Sequence, residues 1–171
     1  AKTCWENAKK DLTEEERTDH PMRYALVEAV NLYSPSLLFY PIHRVLYDCD
    51  NEALINGFAE YLKKQDMRLV QTDDDAQADV TFLYKENKSS YKIGNRSGHL
   101  PVELLQKYLD EYLKEHPEQE LDYVHSEAAA EHIAEDGRGC AMILGAFDKS
   151  SLFDAIEAGG VLPRKTFSIG E

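Results

Sequence analysis

The feature that most constrains this chain is the punctuation of its last third. Residues 121–125 read as a strand, and Ser126 reads as the cap of a helix reaching about Glu135. Residues 137–139, glycine at both ends, stop that helix. Residues 140–144 read as a second strand, Asp148 as the cap of a helix to Ala158, and Gly159-Gly160 as its stop. Residues 161–169 read as extended. Strands joined by crossovers of this length are built to run in the same direction. The pattern β-α-β-α-β therefore predicts an α/β fold: a mixed, mostly parallel sheet with helices packed on it.

The remainder is consistent with that class. Residues 1–17 read as a helix ended by Asp19-His20-Pro21. In residues 22–33, Tyr24, Leu26, Val30 and Leu32 fall on one face, interrupted by Glu28, and Ala25, Val27 and Ala29 on the other. Both faces are largely apolar, which predicts a central strand covered on both sides. A turn at 34–36 leads into LLFYPIHRVLYD (37–48), one or two further strands broken by Pro41. Leu54, Ile55, Phe58, Tyr61 and Leu62 form one amphipathic stripe, and Val102, Leu105, Leu109, Tyr112 and Leu113 another behind Pro101. Residues 67–71 read as a strand, and 80–84 with 89–93 as a hairpin. No internal repeat or linker divides the chain. It reads as a single α/β domain over 1–171, with sub-domain boundaries best placed in the acidic loops near 73 or 117.

Charge excludes some functions. Nineteen Lys and Arg stand against thirty-two Asp and Glu, a net −13, and such an acidic surface repels phosphate backbones and anionic lipid. Nucleic acid and membrane partners are not expected, and no apolar run approaches the roughly 20 residues of a span. Cys4, Cys49 and Cys140 form no CxxC pair and no metal spacing, so reduced thiols in a cytoplasmic protein are expected. No metal site is expected.

The candidate site residues are few. In a strand, His43 and Arg44 point to opposite faces. One reading gives an Arg44–Asp48 pair and a hydrogen-bonded histidine at a sheet edge, where Pro41 would fit. The other gives an arginine gripping a carboxylate or phosphate with His43 nearby as a polar partner. The stretch 162–168 is basic and hydroxyl-bearing within an acidic protein: Arg164, Lys165, Thr166 and Ser168 could hold a small anion, or guard an edge strand by charge. The loop Gly94–His99 between a strand and a helix lacks both phosphate-loop spacings and reads as a glycine turn. Ser126 and Asp148 lie where ligands bind in open α/β sheets, but helix capping accounts for both.

Four stretches together, AKTCWENAKK, HPMRYALVEAVNLYSPSLLFYPIHRVL, LDYVHSEAAAEHIAED and DAIEAGGVLPRKTFSIGE, resemble the uncharacterised bacterial domain-of-unknown-function family 1015. The blocks PIHR and LPRKTF carry most of the specificity. Longer members hold an upstream D-G-[HN]-H-[RS] box, similar to one in the ParB/sulfiredoxin-like superfamily, which includes nucleotide-dependent kinases acting on free serine. That box is missing here. The resemblance thus implies the C-terminal portion of a longer protein, in keeping with ends that read as cut.

Two functions follow as expectations. In the first, the chain is a fragment of an enzyme binding a nucleotide or phosphorylated small molecule, kinase-like and not catalytic alone. Its anion contacts would be His43, Arg44, Arg164, Lys165, Thr166 and Ser168. No cofactor is expected in the fragment itself, with a nucleotide in the full-length protein. In the second, it is a non-catalytic interaction or dimerisation module. The expected partners are the missing N-terminal domain, a small anionic ligand, or a second copy.

Overall fold

The computed structural model describes residues 2–170, which divide into two units, 2–32 and 33–170. The division falls between Leu32 and Tyr33.

The N-terminal unit holds two short helices, α1 (Lys2–Ala8) and α2 (Glu14–Thr18). The single helix expected over 1–17 is interrupted because Thr13 caps α2. Its hydroxyl accepts from the Glu16 amide while the Glu16 carboxylate accepts from the Thr13 amide, a reciprocal capping box. A Pro21–Arg23 turn follows. Residues 24–30 are exposed and lie in no helix and no ladder. The expected covered central strand over 22–33 is therefore not formed. Leu26 is 104 % exposed, Val27 82 % and Tyr24 64 %.

Among its described residues the larger unit holds eight strands: β1 (Leu38–Pro41), β2 (His43–Tyr47), β3 (Arg68–Thr72), β4 (Val80–Tyr84), β5 (Asn87–Gly94), β6 (Leu121–Val124), β7 (Gly139–Leu144) and β8 (Phe167–Gly170). Its helices are α3 (Asn51–Lys63), α4 (Pro101–Glu115), α5 (Glu127–Glu135) and α6 (Leu152–Gly159). Six strands form one sheet in the order β3-β5-β4-β7-β2-β6, and β1 pairs with β8 in a separate ribbon.

Every ladder is antiparallel, which corrects the mostly parallel sheet expected from the sequence. The reason lies in strand order. Alternating neighbours means that β5, β6 and β7 run one way and β2, β3 and β4 the other. The crossovers through α4 and α5 do join strands of like direction. Between β6 and β7, however, β2 is inserted, pairing Arg44 with Tyr123 on one side and with Met142 on the other. This is a split β-α-β unit. The last step of the expected alternation also leaves the sheet, because β8 goes to β1.

The two sheet faces are packed unequally. On one, Leu46, Phe82, Cys140, Met142 and Leu144 meet Leu54, Phe58 and Leu62 of α3 and Leu105, Tyr108 and Leu109 of α4. Each fully buried aliphatic or aromatic side chain there stabilises by about 2 kcal/mol. Asp50 starts α3 by accepting from the amides of Glu52 and Ala53, which aims the Leu54 stripe at the sheet. On the other face α5 lays the small residues Ala130 and Ala134, with Ile133 beside them, on Val45, Ala141 and Ile143. Gly139 lets β7 approach β2 closely, since a Cβ there would lie 2.9 Å from the Leu46 carbonyl oxygen. The three cysteines are free thiols. Among the described residues no helix is long and apolar enough to cross a membrane.

Candidate functional site

Because β5, β6 and β7 run in the same direction, the elements that follow them start at one edge of the sheet. Helix α4 opens with Pro101, α5 is capped by the Ser126 hydroxyl accepting from the Ala129 amide, and Asp148 caps the turn leading to α6 by accepting from the Ser150 amide. Backbone N–H groups at such ends favour anions. At this edge Leu144 and the following Gly145-Ala146 separate two cavities. One, of about 390 Å³, is lined by Asp75, Thr81, Lys88, Glu127 and Glu131. The other, of about 340 Å³, is lined by Asp79, Arg96, Asp148, Ser151 and Thr166.

The side chains within these cavities are held. Asp79 accepts from the Ile93 amide at 2.7 Å and faces Arg96 at 3.6 Å. That pair presents a half-exposed guanidinium beside the start of α4. Lys88 lies 2.6 Å from Asp75, and Ser90 donates to the same carboxylate, which together hold the Asp75 carboxyl below the usual range.

Arg44 is fully buried and faces the α4 side of the sheet. Its Nε donates to Gln106 Oε1 at 3.2 Å, one Nη to the Ile42 carbonyl, and the other to the Lys165 carbonyl at 2.8 Å. Its guanidinium also lies over the Tyr123 ring at 5.4 Å, with Arg164 over the same ring at 5.9 Å. Asp110 completes the cluster by accepting from Gln106 and Arg164. Asp48 is not among these partners. Burial draws the Arg44 pKa down to about 10, while Tyr123 and Asp110 oppose the shift, so the group stays charged at neutral pH.

His43 is 2 % exposed and faces the α5 side. Its Nδ1 accepts from the Leu144 amide at 3.2 Å, so the neutral ring carries its proton on Nε2. Burial lowers its pKa, against an opposing pull from Glu127.

The candidates from the sequence are thus divided. Arg44 and Arg164 meet on one face, around Tyr123 and Asp110. His43 lies on the other face, and Ser168 faces His125 Nδ1 at 3.3 Å. Lys165, at φ +59°, supplies the carbonyl that Arg44 holds. Thr166 lines the second cavity and donates to the Pro163 carbonyl. Yet His43 and Arg44 serve two borders of the same cleft. His43 fixes Leu144, where β7 ends, and Arg44 fixes Lys165, next to Thr166. Sequence reasoning did not single out Arg96, Asp79 or Lys88. Arg96 lies in the loop read as a glycine turn, and Lys88 is an ordinary hairpin residue until the fold brings it beside the end of β7. Among the described residues no acidic, histidine or cysteine cluster could hold a metal ion.

No curated protein matches the chain. Several solved structures share its fold. A conserved hypothetical protein from Pyrococcus furiosus superposes with a TM-score of 0.57 at 17 % identity, over 82 % of this chain and 59 % of that one. A free serine kinase in complex with AMP superposes with a TM-score of 0.58 at 17 % identity, over 82 % and 56 %. A mutant of a free serine kinase in complex with ADP gives 0.57 at 18 %, over 82 % and 56 %. The chain therefore spans little more than half the length of these proteins. The family described as "Protein of unknown function (DUF1015)" matches residues 1–123. With nearly three quarters of its length so matched, the chain belongs to the DUF1015 family.

Proposed function

We propose that this chain is part of a nucleotide- or phosphate-ligand-binding enzyme of the small-molecule kinase kind, and that it does not complete the reaction alone. The observation that carries this reading is the fold shared with a free serine kinase solved with AMP. The cleft at the end of β7 supports it in chemical terms. Phosphoryl transfer depends on positioning and charge neutralisation. The cleft offers Arg96 and nearby helix starts for that purpose, with Thr166 in its wall. In this reading Thr166, Arg164 and Lys165 are ligand-side residues on one border, with Ser168 beyond them. Arg44 and His43 are positioning residues that hold the Lys165 and Leu144 backbones. A nucleotide would be the cofactor of the longer protein, and a cytoplasmic location fits its chemistry.

Calorimetric titration with ATP, ADP, AMP and inorganic phosphate tests the reading, using both this chain and a longer protein that includes it. Nucleotide binding to the longer protein is expected, with Arg96→Ala weakening it about tenfold, the worth of one charge-assisted contact. Silence with every nucleotide, in both proteins, would overturn it. The alternative, a non-catalytic interaction module, draws support from the exposed apolar stretch 22–30.

A further inference from the structure

Cys49 and Cys140 are far apart in sequence and side by side in the fold. The ladder between β2 and β7 sets Cys140 opposite Leu46. Beyond Tyr47 the chain turns, with Asp48 at φ +53°, and Cys49 folds back so that its thiol donates to the Leu46 carbonyl at 3.3 Å. The Cys140 thiol donates to Asn51 Oδ1 at 2.9 Å, at the start of α3. Each sulfur is thus held by a neighbour of the other cysteine. The two differ in access. Cys140 is wholly buried, whereas Cys49 is half-buried and lies in the wall of an open groove of about 820 Å³, with Asn51, Tyr84 and Tyr91. They differ in acidity too. The hydrogen bond between the two thiols holds Cys49 below the usual thiol range, against opposition from burial and Asp50. The same bond, with burial, pushes Cys140 above that range.

We propose that Cys49 and Cys140 form a peroxide-responsive dithiol, in which Cys49 is oxidised first and Cys140 resolves it to an intramolecular disulfide. The accessible thiol of lower pKa is the one that reacts with oxidant. The Cys49 thiolate attacks a hydroperoxide oxygen and breaks the O–O bond. Cys49 becomes a sulfenic acid, and the peroxide is reduced to an alkoxide or hydroxide that takes up the proton Cys49 lost. The Cys140 sulfur then attacks the Cys49 sulfur, forming the S–S bond and breaking the S–O bond. The departing hydroxide takes the Cys140 proton and leaves as water. Two thiols are oxidised for each peroxide reduced. The inference goes beyond the nucleotide reading and does not rest on it, since the dithiol lies near the start of β7 and the cleft at its end.

The test treats the Cys4→Ser protein with hydrogen peroxide and maps its peptides by mass spectrometry without reduction, Cys4 being exposed and open to cross-linking between chains. The expected product is one monomeric species in which the peptides holding Cys49 and Cys140 are joined, with both thiols lost together and both restored by dithiothreitol. In Cys4→Ser/Cys140→Ser, Cys49 is expected to stop at a sulfenic acid that dimedone traps. In Cys4→Ser/Cys49→Ser, the Cys140 thiol is expected to be lost about tenfold more slowly or less, because a buried protonated thiol is a poor nucleophile. Oxidation of Cys49 to a sulfinic acid while Cys140 stays reduced would overturn the proposal. So would disulfides formed only between chains, or two thiols that remain titratable after free cysteine in the same solution is consumed. The peptide map of the Cys4→Ser protein, which keeps both thiols, decides the matter even if a second serine prevents folding.

Discussion

Two stretches of this chain look alike in sequence and end differently. Residues 22–32 and 37–47 are both rich in apolar residues, and each carries an arginine. In β2 the four residues His43–Leu46 are between 0 % and 2 % exposed. Upstream, Leu26 is fully in water. The local pattern is the same; the difference is supply. β2 finds β6 on one side, β7 on the other, α3 and α4 over one face and α5 over the other. Residues 24–30 lie in no ladder. An apolar pattern states what a segment requires and does not say which part of the polypeptide provides it.

The comparison can be broken most forcefully at Arg44. Arg44→Leu removes three donors from buried acceptors on Gln106, Ile42 and Lys165. A loss of about 3 kcal/mol in urea unfolding is expected, with the 163–168 segment loosened first. A loss under 0.5 kcal/mol would show that the guanidinium is not what holds that segment. Next comes pH. His43 has a folded pKa lowered by burial from 6.5, so the unfolded chain binds a proton that the folded chain refuses. Its stabilising contribution is therefore present above pH 6.5 and is lost as pH falls below that value towards its folded pKa. Urea midpoints taken from pH 8 to pH 5 should decline, and less so in His43→Asn. A decline of equal steepness in both would assign the effect to other groups. The smallest effect belongs to the upstream stretch: Leu26→Ser should shift the stability of this chain by less than 0.5 kcal/mol, since the leucine buries nothing here.

Much of the fold could be read in the sequence because its signals were local. The Asp50 cap, the Pro101 start, the Ser126 cap and the glycine stops each act within a few residues, and α3, α4 and α5 formed where those signals stood. Strand order was not legible, because no local feature of 121–144 announces that β2 will enter between β6 and β7. The parallel expectation failed where β2 entered between β6 and β7 and where β8 left the sheet for β1; the directions of β6 and β7 were as expected. For the site, strand alternation separated His43 from Arg44 as expected. Their partners, the Leu144 amide and the Lys165 carbonyl, are backbone groups about a hundred residues away and carry no side-chain signature. Arg96 and Lys88 gain their position from tertiary structure in the same way.

The insertion of β2 also has a consequence in time. On a ribosome, residues 43–47 emerge long before residues 139–144, which close the second side of the ladder. At roughly 5–20 residues per second, β2 waits on the order of 5–20 s for its second neighbour. The central ladder is thus among the last contacts made, and its long loop closure predicts slow folding for a domain of this size. A polypeptide ended at residue 123, where the family match stops, would hold both outer parts of the sheet and lack the strand between them.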